Sequence, residues 1–409
     1  MSQDPHVALE KEAEYELAKA RWEQRPLHRV LVALMAPSRL STPQIGLILL
    51  ALGLVVDLAW QWVSGDARPA AGAAFLYLLF VALDWTLLTS LPRFELSFGP
   101  VNPPLLALAA LRLILTAGSA LLFAIMPIGL HLVIPAVVNL SLSAGVVYTC
   151  LIEPFVLQVS RIDLTSRKLS SQAQPIRMLQ IADIHLERMT KRERKLVALV
   201  QSLQPDLILM TGDYLNQSYV GEETATEHVR LLIRELDAPY GVYAVPGTPL
   251  IDPPEAMTRI FDGLKVKVLE NESVKITIAG QEIHLVGVSC TGNLEIDHLR
   301  LERALAVVPP RAFKIFLYHT PDLMGRVAVQ RIDLYLAGHT HGGQLRLPFY
   351  GAVMTSSDYG KRYEMGLFRE GNTYLYVSRG LGLEGLSAPR ARFLCPPEVT
   401  LFTLRGGAK

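Results

Sequence analysis

A chain of 409 residues that is 50% hydrophobic, with mean hydropathy +0.29 and formal net charge +1, is long enough for two or three domains. Its balanced charge gives no bulk electrostatic case for binding nucleic acid, and none is expected as a partner. The three cysteines, Cys150, Cys290 and Cys395, are far apart and odd in number. They imply neither a disulfide framework nor a cysteine zinc site, which fits a reducing compartment.

In chain order, residues 1–43 come first. The stretch EKEAEYELAKARWEQR predicts a polar helix at the cytoplasmic membrane face, with no chemistry assigned to it. A signal peptide is not expected, because the first apolar run starts beyond residue 40. Four apolar runs follow, at 44–63, 73–91, 104–126 and 129–150, with Trp60, Trp62 and Trp85 at or near their ends. Each is long enough for about 30 Å of hydrocarbon, so 44–152 is predicted to be four transmembrane helices. Lys11, Lys19, Arg21, Arg25, Arg29 and Arg39 precede the spans, and Arg161, Arg167, Lys168 and Arg177 follow them. The first and third connections hold only Arg68. Both ends are therefore expected to face the cytoplasm, across a bacterial-type inner (cytoplasmic) membrane. Asp57, Asp84 and Arg112 are charges inside the spans. Asp84 and Arg112 lie at matched depth, so they are expected to pair, either as a structural lock or as a polar notch for a headgroup or proton path.

Residues 153–175 read as a linker, and from 176 to 409 the pattern is α/β. Strands are predicted in IRMLQIAD, DLILMTGD, GVYAVPG, 266–270, 273–278, 282–288, FKIFLYH, IDLYLAGH, TYLYVSRG and EVTLFTL. Helices are predicted near 192–203, 224–237 and 255–264.

Several of these strands end in metal-capable side chains. IADIH supplies Asp183 and His185, LILMTGD supplies Asp213, FLYH supplies His319, and LAGHTHGG supplies His339 and His341. Carboxyl ends of strands are where α/β sheets place ligands. A two-residue spacing on extended chain puts both members of D-x-H or H-x-H on one side. Two aspartates and four histidines exceed one tetrahedral site and suit two divalent ions, with Asp213 between them. Carboxylate and imidazole without thiolate admit manganese, iron or zinc. Such paired ions clamp attacking and leaving oxygens and generate hydroxide at neutral pH, the usual equipment for phosphate-ester hydrolysis.

The ordered motifs D-x-H, G-D, H and G-H-x-H resemble those of the calcineurin-like metallophosphoesterases. The ending SRGLGL…CPPEVTLFTL is similar to the membrane-associated branch, which includes bacterial phosphodiesterases and UDP-2,3-diacylglucosamine pyrophosphatases. The resemblance implies an α/β domain built as a two-sheet sandwich flanked by helices, following the four-helix transmembrane region. It implies Asp183, His185, Asp213 and His341 around one metal and Asp213, His319 and His339 around the other, with Asp213 and His339 acting in catalysis.

One motif departs from the family's G-N-H-[ED], whose Asn binds the second metal and whose His assists the reaction. Here the chain reads Gly247-Thr248-Pro249-Leu250. A threonine hydroxyl is a weaker ligand than an amide carbonyl, and proline is neither acid nor base. A weaker second metal and a missing acid are therefore expected. A phosphate leaving group needs little protonation, so a diester or pyrophosphate with a good leaving group can still be hydrolysed. The other reading is an impaired module that binds metal or phosphorylated lipid in a regulatory role. The expected substrate is a membrane lipid or a lipid-linked phosphate. Arg390 and Arg392 are candidate phosphate contacts, and the run Arg188, Lys191, Arg192, Arg194 and Lys195 is a candidate headgroup-facing patch.

Overall fold

The apolar runs become four helices in the computed structural model, which describes residues 5–125, 127 and 130–407. They are Thr42–Ser64, Ala67–Phe94, Asn102–Leu122 and Val133–Phe155, each long and apolar enough to cross a membrane. The first starts cleanly, because Ser41 and Gln44 form a capping box and Pro43 sits where no amide donor is needed. Arg112 is completely buried and meets both oxygens of Asp84, at 2.7 and 2.9 Å. Its remaining donors reach Asn139 O, Asn139 Oδ1 and Ser143 Oγ. Asn139 Nδ2 in turn donates to Thr116 Oγ1 at 2.9 Å. The expected pair is thus the centre of a saturated polar network that ties three helices together.

The remaining chain, Glu153–Gly385 with Ala391–Lys409, forms a second unit that also takes in Met1–Arg29. It holds two six-stranded sheets. In the first sheet the order is Gln158–Ser166, Glu398–Gly406, Ile176–Ile181, Leu207–Met210, Val242–Ala244 and Val266–Val268. All neighbours are parallel except the Glu398–Gly406 and Ile176–Ile181 pair. In the second the order is Gly366–Glu370, Thr373–Val377, Leu334–Ala337, Phe313–Leu317, Gln281–Gly287 and Glu272–Ile278, antiparallel only at the two edges.

Alternation builds the layers. Leu207 and Leu209 face a core shared with Leu285, Ile315 and Leu334 of the other sheet, while Ile208 and Met210 face the helices Lys191–Leu203 and Glu223–Arg234. Central strands such as Leu207–Met210 and Leu334–Ala337 are buried on both faces, which is why they read as unbroken apolar runs.

The helix Leu294–Leu305 and the edge strand Gly366–Glu370 are not among the expected elements, and two further segments differ from expectation. The region read as a linker contains the strand Gln158–Ser166, which pairs in parallel with Glu398–Gly406 at the sheet edge. Its sequence, QVSRIDLTS, is half polar because an edge strand keeps one side in water. The N-terminal segment forms the helix Pro5–Glu23, and Ala18 and Trp22, four residues apart, are buried on one side of it.

Candidate metal centre

Each predicted ligand sits just past a strand, where the backbone turns sharply. Asp183, His185, Asp213, His339 and His341 all have positive φ, between 41° and 70°. Non-glycine residues rarely adopt this conformation, at roughly 1–3 kcal/mol each, and such strain gathers at functional sites. The turns also need close backbone approach. A Cβ on Gly247 would lie 2.2 Å from Asp213 Oδ1, and one on Gly338 would lie 2.6 Å from Asp183 Oδ2.

The turns bring all six side chains together in two groups, Asp183, His185 and His341, and Asp213, His319 and His339, each buried with its ligand atoms within 4.8 Å of one another. His185 Nε2 faces His341 Nε2 at 2.9 Å, and His319 Nε2 faces His339 Nδ1 at 3.2 Å. Asp213 Oδ2 lies 3.4 Å from His185 Nε2 and 3.2 Å from His319 Nε2, so one oxygen adjoins both groups. Donors bound at about 2.1 Å to one ion stand roughly 3.0–3.4 Å apart, so these separations fit a divalent cation in each group. His319 Nδ1 is 2.9 Å from Thr211 O, which holds a proton on Nδ1 and turns Nε2 toward the second group.

The electrostatics agree with that fit. Burial raises the Asp183 carboxyl to about 7, opposed by His319 and reinforced by Asp213. Burial also pushes Asp213 upward, but the imidazoles of His319, His185 and His339 outweigh it and hold the carboxyl below its ordinary range. Burial drives His339 and His341 well below the usual imidazole value, whereas at His319 burial is outweighed by the Asp213 and Asp183 carboxylates, which raise the imidazole to about 9. A buried carboxylate short of positive charge, two imidazoles that resist protonation and one, His319, that holds a proton against Asp213 form a donor set in which a divalent cation would supply the positive charge.

The altered third motif is not a gap in space. Thr248 N donates to Asp213 Oδ1 at 2.6 Å, and Thr248 Oγ1 lies 3.2 Å from His319 Nε2 and 3.4 Å from Asp213 Oδ2. The hydroxyl therefore stands within the second group. Pro249 offers no proton. Behind the loop, Asp252 accepts from the amides of Asp213 at 2.7 Å, Gly247 at 2.8 Å and Tyr214 at 3.0 Å. Sequence reasoning missed Asp252. Its signal was an isolated acid in a proline-rich loop two residues beyond the motif's acidic position.

Other sequence candidates fall elsewhere. Arg392 is fully buried, and its guanidinium donates to the carbonyls of Cys395, Arg379, Gly380 and Gly382. It holds the loop behind Asp183 in place of the phosphate contact expected of it. Arg390 is also buried and donates to Leu386 O and Ala388 O, so it too closes its own loop. In the basic run, Arg192 pairs with Glu193 at 2.6 Å and Arg188 with Glu222 at 2.6 Å, which removes both from the expected patch.

The N-terminal segment, assigned no chemistry from sequence, reaches the centre. The Trp22 ring stands edge-on to His339, with centroids 5.2 Å apart, and the Arg25 guanidinium lies 3.9 Å from the Trp22 ring centroid.

Comparison with known proteins gives the same direction. Residues 176–247 match the family model for calcineurin-like phosphoesterases. The chain is 31% identical over 275 residues to the metallophosphoesterase YkuE of Bacillus subtilis (strain 168), covering 65% of this chain and 92% of that protein. It is 30% identical over 270 residues to the phosphodiesterase YaeI of Escherichia coli (strain K12), covering 65% and 95%. It is 24% identical over 303 residues to the UDP-2,3-diacylglucosamine pyrophosphatase LpxG of Chlamydia muridarum, covering 61% and 90%.

Proposed function

The chain belongs to the calcineurin-like metallophosphoesterase family and is a metal-dependent hydrolase; we propose that it is membrane-anchored and cleaves a phosphodiester or pyrophosphate bond of a lipid-linked substrate. The observation that carries this reading is the shared carboxylate: Asp213 Oδ2 lies 3.4 Å from one imidazole group and 3.2 Å from the other.

In this reading Asp183, His185, Asp213 and His341 hold one divalent ion. Asp213, His319 and His339 hold the second, with Thr248 Oγ1 in the position the family gives to asparagine. Two bound ions would supply Lewis-acid activation of water and of the phosphoryl oxygens. The chain's own residues set the geometry. Asp213 spans both groups, Thr211 O orients His319, and Asp252 fixes the turn that carries Asp213. Because Pro249 cannot protonate a leaving group, the site favours bonds whose leaving group is stable as an anion, such as a phosphate. Lipid linkage is supported by the four apolar helices and by the similarity to LpxG. The excess of Lys and Arg in the segments flanking the four helices supports a cytoplasmic catalytic domain.

Full-length protein assayed with Mn²⁺ and a bis-aryl phosphodiester tests the hydrolytic reading. Hydrolysis that disappears in Asp213→Asn is the expected outcome. Inactivity of the wild type with Mn²⁺, Fe²⁺ and Zn²⁺ would instead favour a metal- or phospholipid-binding module, the reading that Pro249 most directly supports.

A further inference from the structure

Of the six candidate ligands His339 is the most exposed, at 7%, while Asp183 and His319 are at 0%. His339 is thus the ligand through which the centre comes nearest to solvent. Beside it lies a strap of residues 22–28, made of the end of the helix Pro5–Glu23, the connection through Arg25 and the start of the helix Pro26–Ala33. Trp22 packs edge-on to His339, and the Arg25 guanidinium stacks on the Trp22 ring. Arg25 also reaches the same ligand by a second route. It donates to Ser356 O at 3.3 Å, and Ser356 Oγ donates to His339 O at 3.0 Å. Farther along the strap, His28 Nδ1 lies 3.2 Å from Gln217 Nε2.

We propose that this strap is a fixed wall of the metal centre and that Arg25 is a phosphate-binding residue for the substrate, an inference that rests on the hydrolase reading above. The wall is fixed because Trp22 is only 4% exposed and joins the cluster of Val286, Val288 and Cys290. A large aromatic buried that deeply is core and does not open and close at low cost. The neighbouring turn is built around it, since a Cβ on Gly292, at φ 72°, would lie 2.9 Å from Trp22 Nε1. One turn before Trp22, Ala18 is buried as well, and Glu14 pairs with Arg300.

Arg25 differs from Arg392 in how its donors are used. Its ion pair with Asp358 is long, at 3.4 Å, and Asp358 is 55% exposed. A guanidinium has five donors in a fork that matches phosphate, and an exposed long pair gives way readily to a charge-assisted bidentate one. The cation–π stack keeps the fork from collapsing onto the protein. A phosphate at the metal groups is anionic, and Arg25 is a cation that this wall presents close to His339.

The test uses full-length protein loaded with Mn²⁺ and inorganic phosphate as the probe, reading Mn²⁺ per chain and phosphate affinity by calorimetry. Arg25→Ala should keep the wild-type Mn²⁺ content and weaken phosphate binding roughly tenfold or more, the size of one lost charge-assisted contact. Asp358→Ala, which frees the guanidinium, should bind phosphate as tightly as wild type or more tightly. If Arg25→Ala binds phosphate within twofold of wild type, or if both variants weaken it alike, Arg25 is a structural ion-pair partner and the inference fails while the hydrolase reading stands. A wild type that binds neither Mn²⁺ nor phosphate removes the hydrolase reading and this inference with it.

Discussion

Thr248 sits where a ligand is wanted, and its hydroxyl is 3.2 Å from His319 Nε2. Replacing it with valine keeps the shape and removes the oxygen. Thr248→Val should leave the first Mn²⁺ site intact and weaken the second by roughly tenfold or more, as ligand-shell losses do. A two-site Mn²⁺ titration identical to wild type would count against a ligand role. A second residue gives a pH signature away from the metals. Burial raises the Asp297 carboxyl from 3.8 to about 6, despite hydrogen bonds from Tyr318 Oη and from Thr291 N and Oγ1. The folded chain therefore prefers the protonated form. Its stabilising contribution is full below the unfolded value and is lost as pH rises through about 6, a change on the order of 3 kcal/mol. Asp297→Asn should accordingly gain on wild type in thermal stability between pH 4 and pH 7, and parallel melting curves across that window would exclude this account. At this scale the sequence carried the six residues that the two groups bring together, because each is a polar residue ending an apolar strand. It did not carry Asp252 or the buried state of Arg392, since both depend on which backbone amides and carbonyls the loops bring near. Nor could spacing show that the Thr248 hydroxyl turns into the second group.

At the scale of elements, the central strands were legible because burial on both faces leaves continuous apolar runs. Of the edge strands, Val266–Val268 and Glu272–Ile278 were legible, but Gln158–Ser166 and Gly366–Glu370 were not, since their mix of polar and apolar residues resembles a linker. The helix Pro5–Glu23 hid its role for a related reason. Only Ala18 and Trp22 of its residues 12–23 are buried, too few to mark a face in a charged segment. The four apolar helices were predictable in number, and so was the meeting of Asp84 with Arg112; the full network through Asn139, Ser143 and Thr116 was not. That network makes a sharp prediction. Arg112→Leu leaves Asp84 buried and uncompensated, so it should destabilise the helical region by about 3–5 kcal/mol, and adding Asp84→Leu should recover much of the loss. Detergent-solubilised Arg112→Leu melting with wild type would contradict the structural role of the pair.

On the scale of the whole molecule, one chain carries an α/β hydrolase unit and four helices suited to a bilayer. The two sheets supply rigid strand ends, the turns after them, strained at five positions, aim six candidate ligands inward, and the N-terminal strap adds a wall that lies far from the motifs in sequence. Family resemblance reached the fold and the reaction class from short motifs, because those motifs are the turns that hold the centre. It could not reach the strap, whose contacts with the centre join residues more than 300 positions apart. The central claim is that one carboxylate, Asp213, unites two metal sites. Metal analysis of the purified full-length protein tests it most directly: the account predicts two divalent ions per chain in wild type and loss of both, or of all but a weakly held one, in Asp213→Asn. A wild-type chain that retains no divalent ion after saturation with Mn²⁺, or an Asp213→Asn chain that retains two, would contradict it.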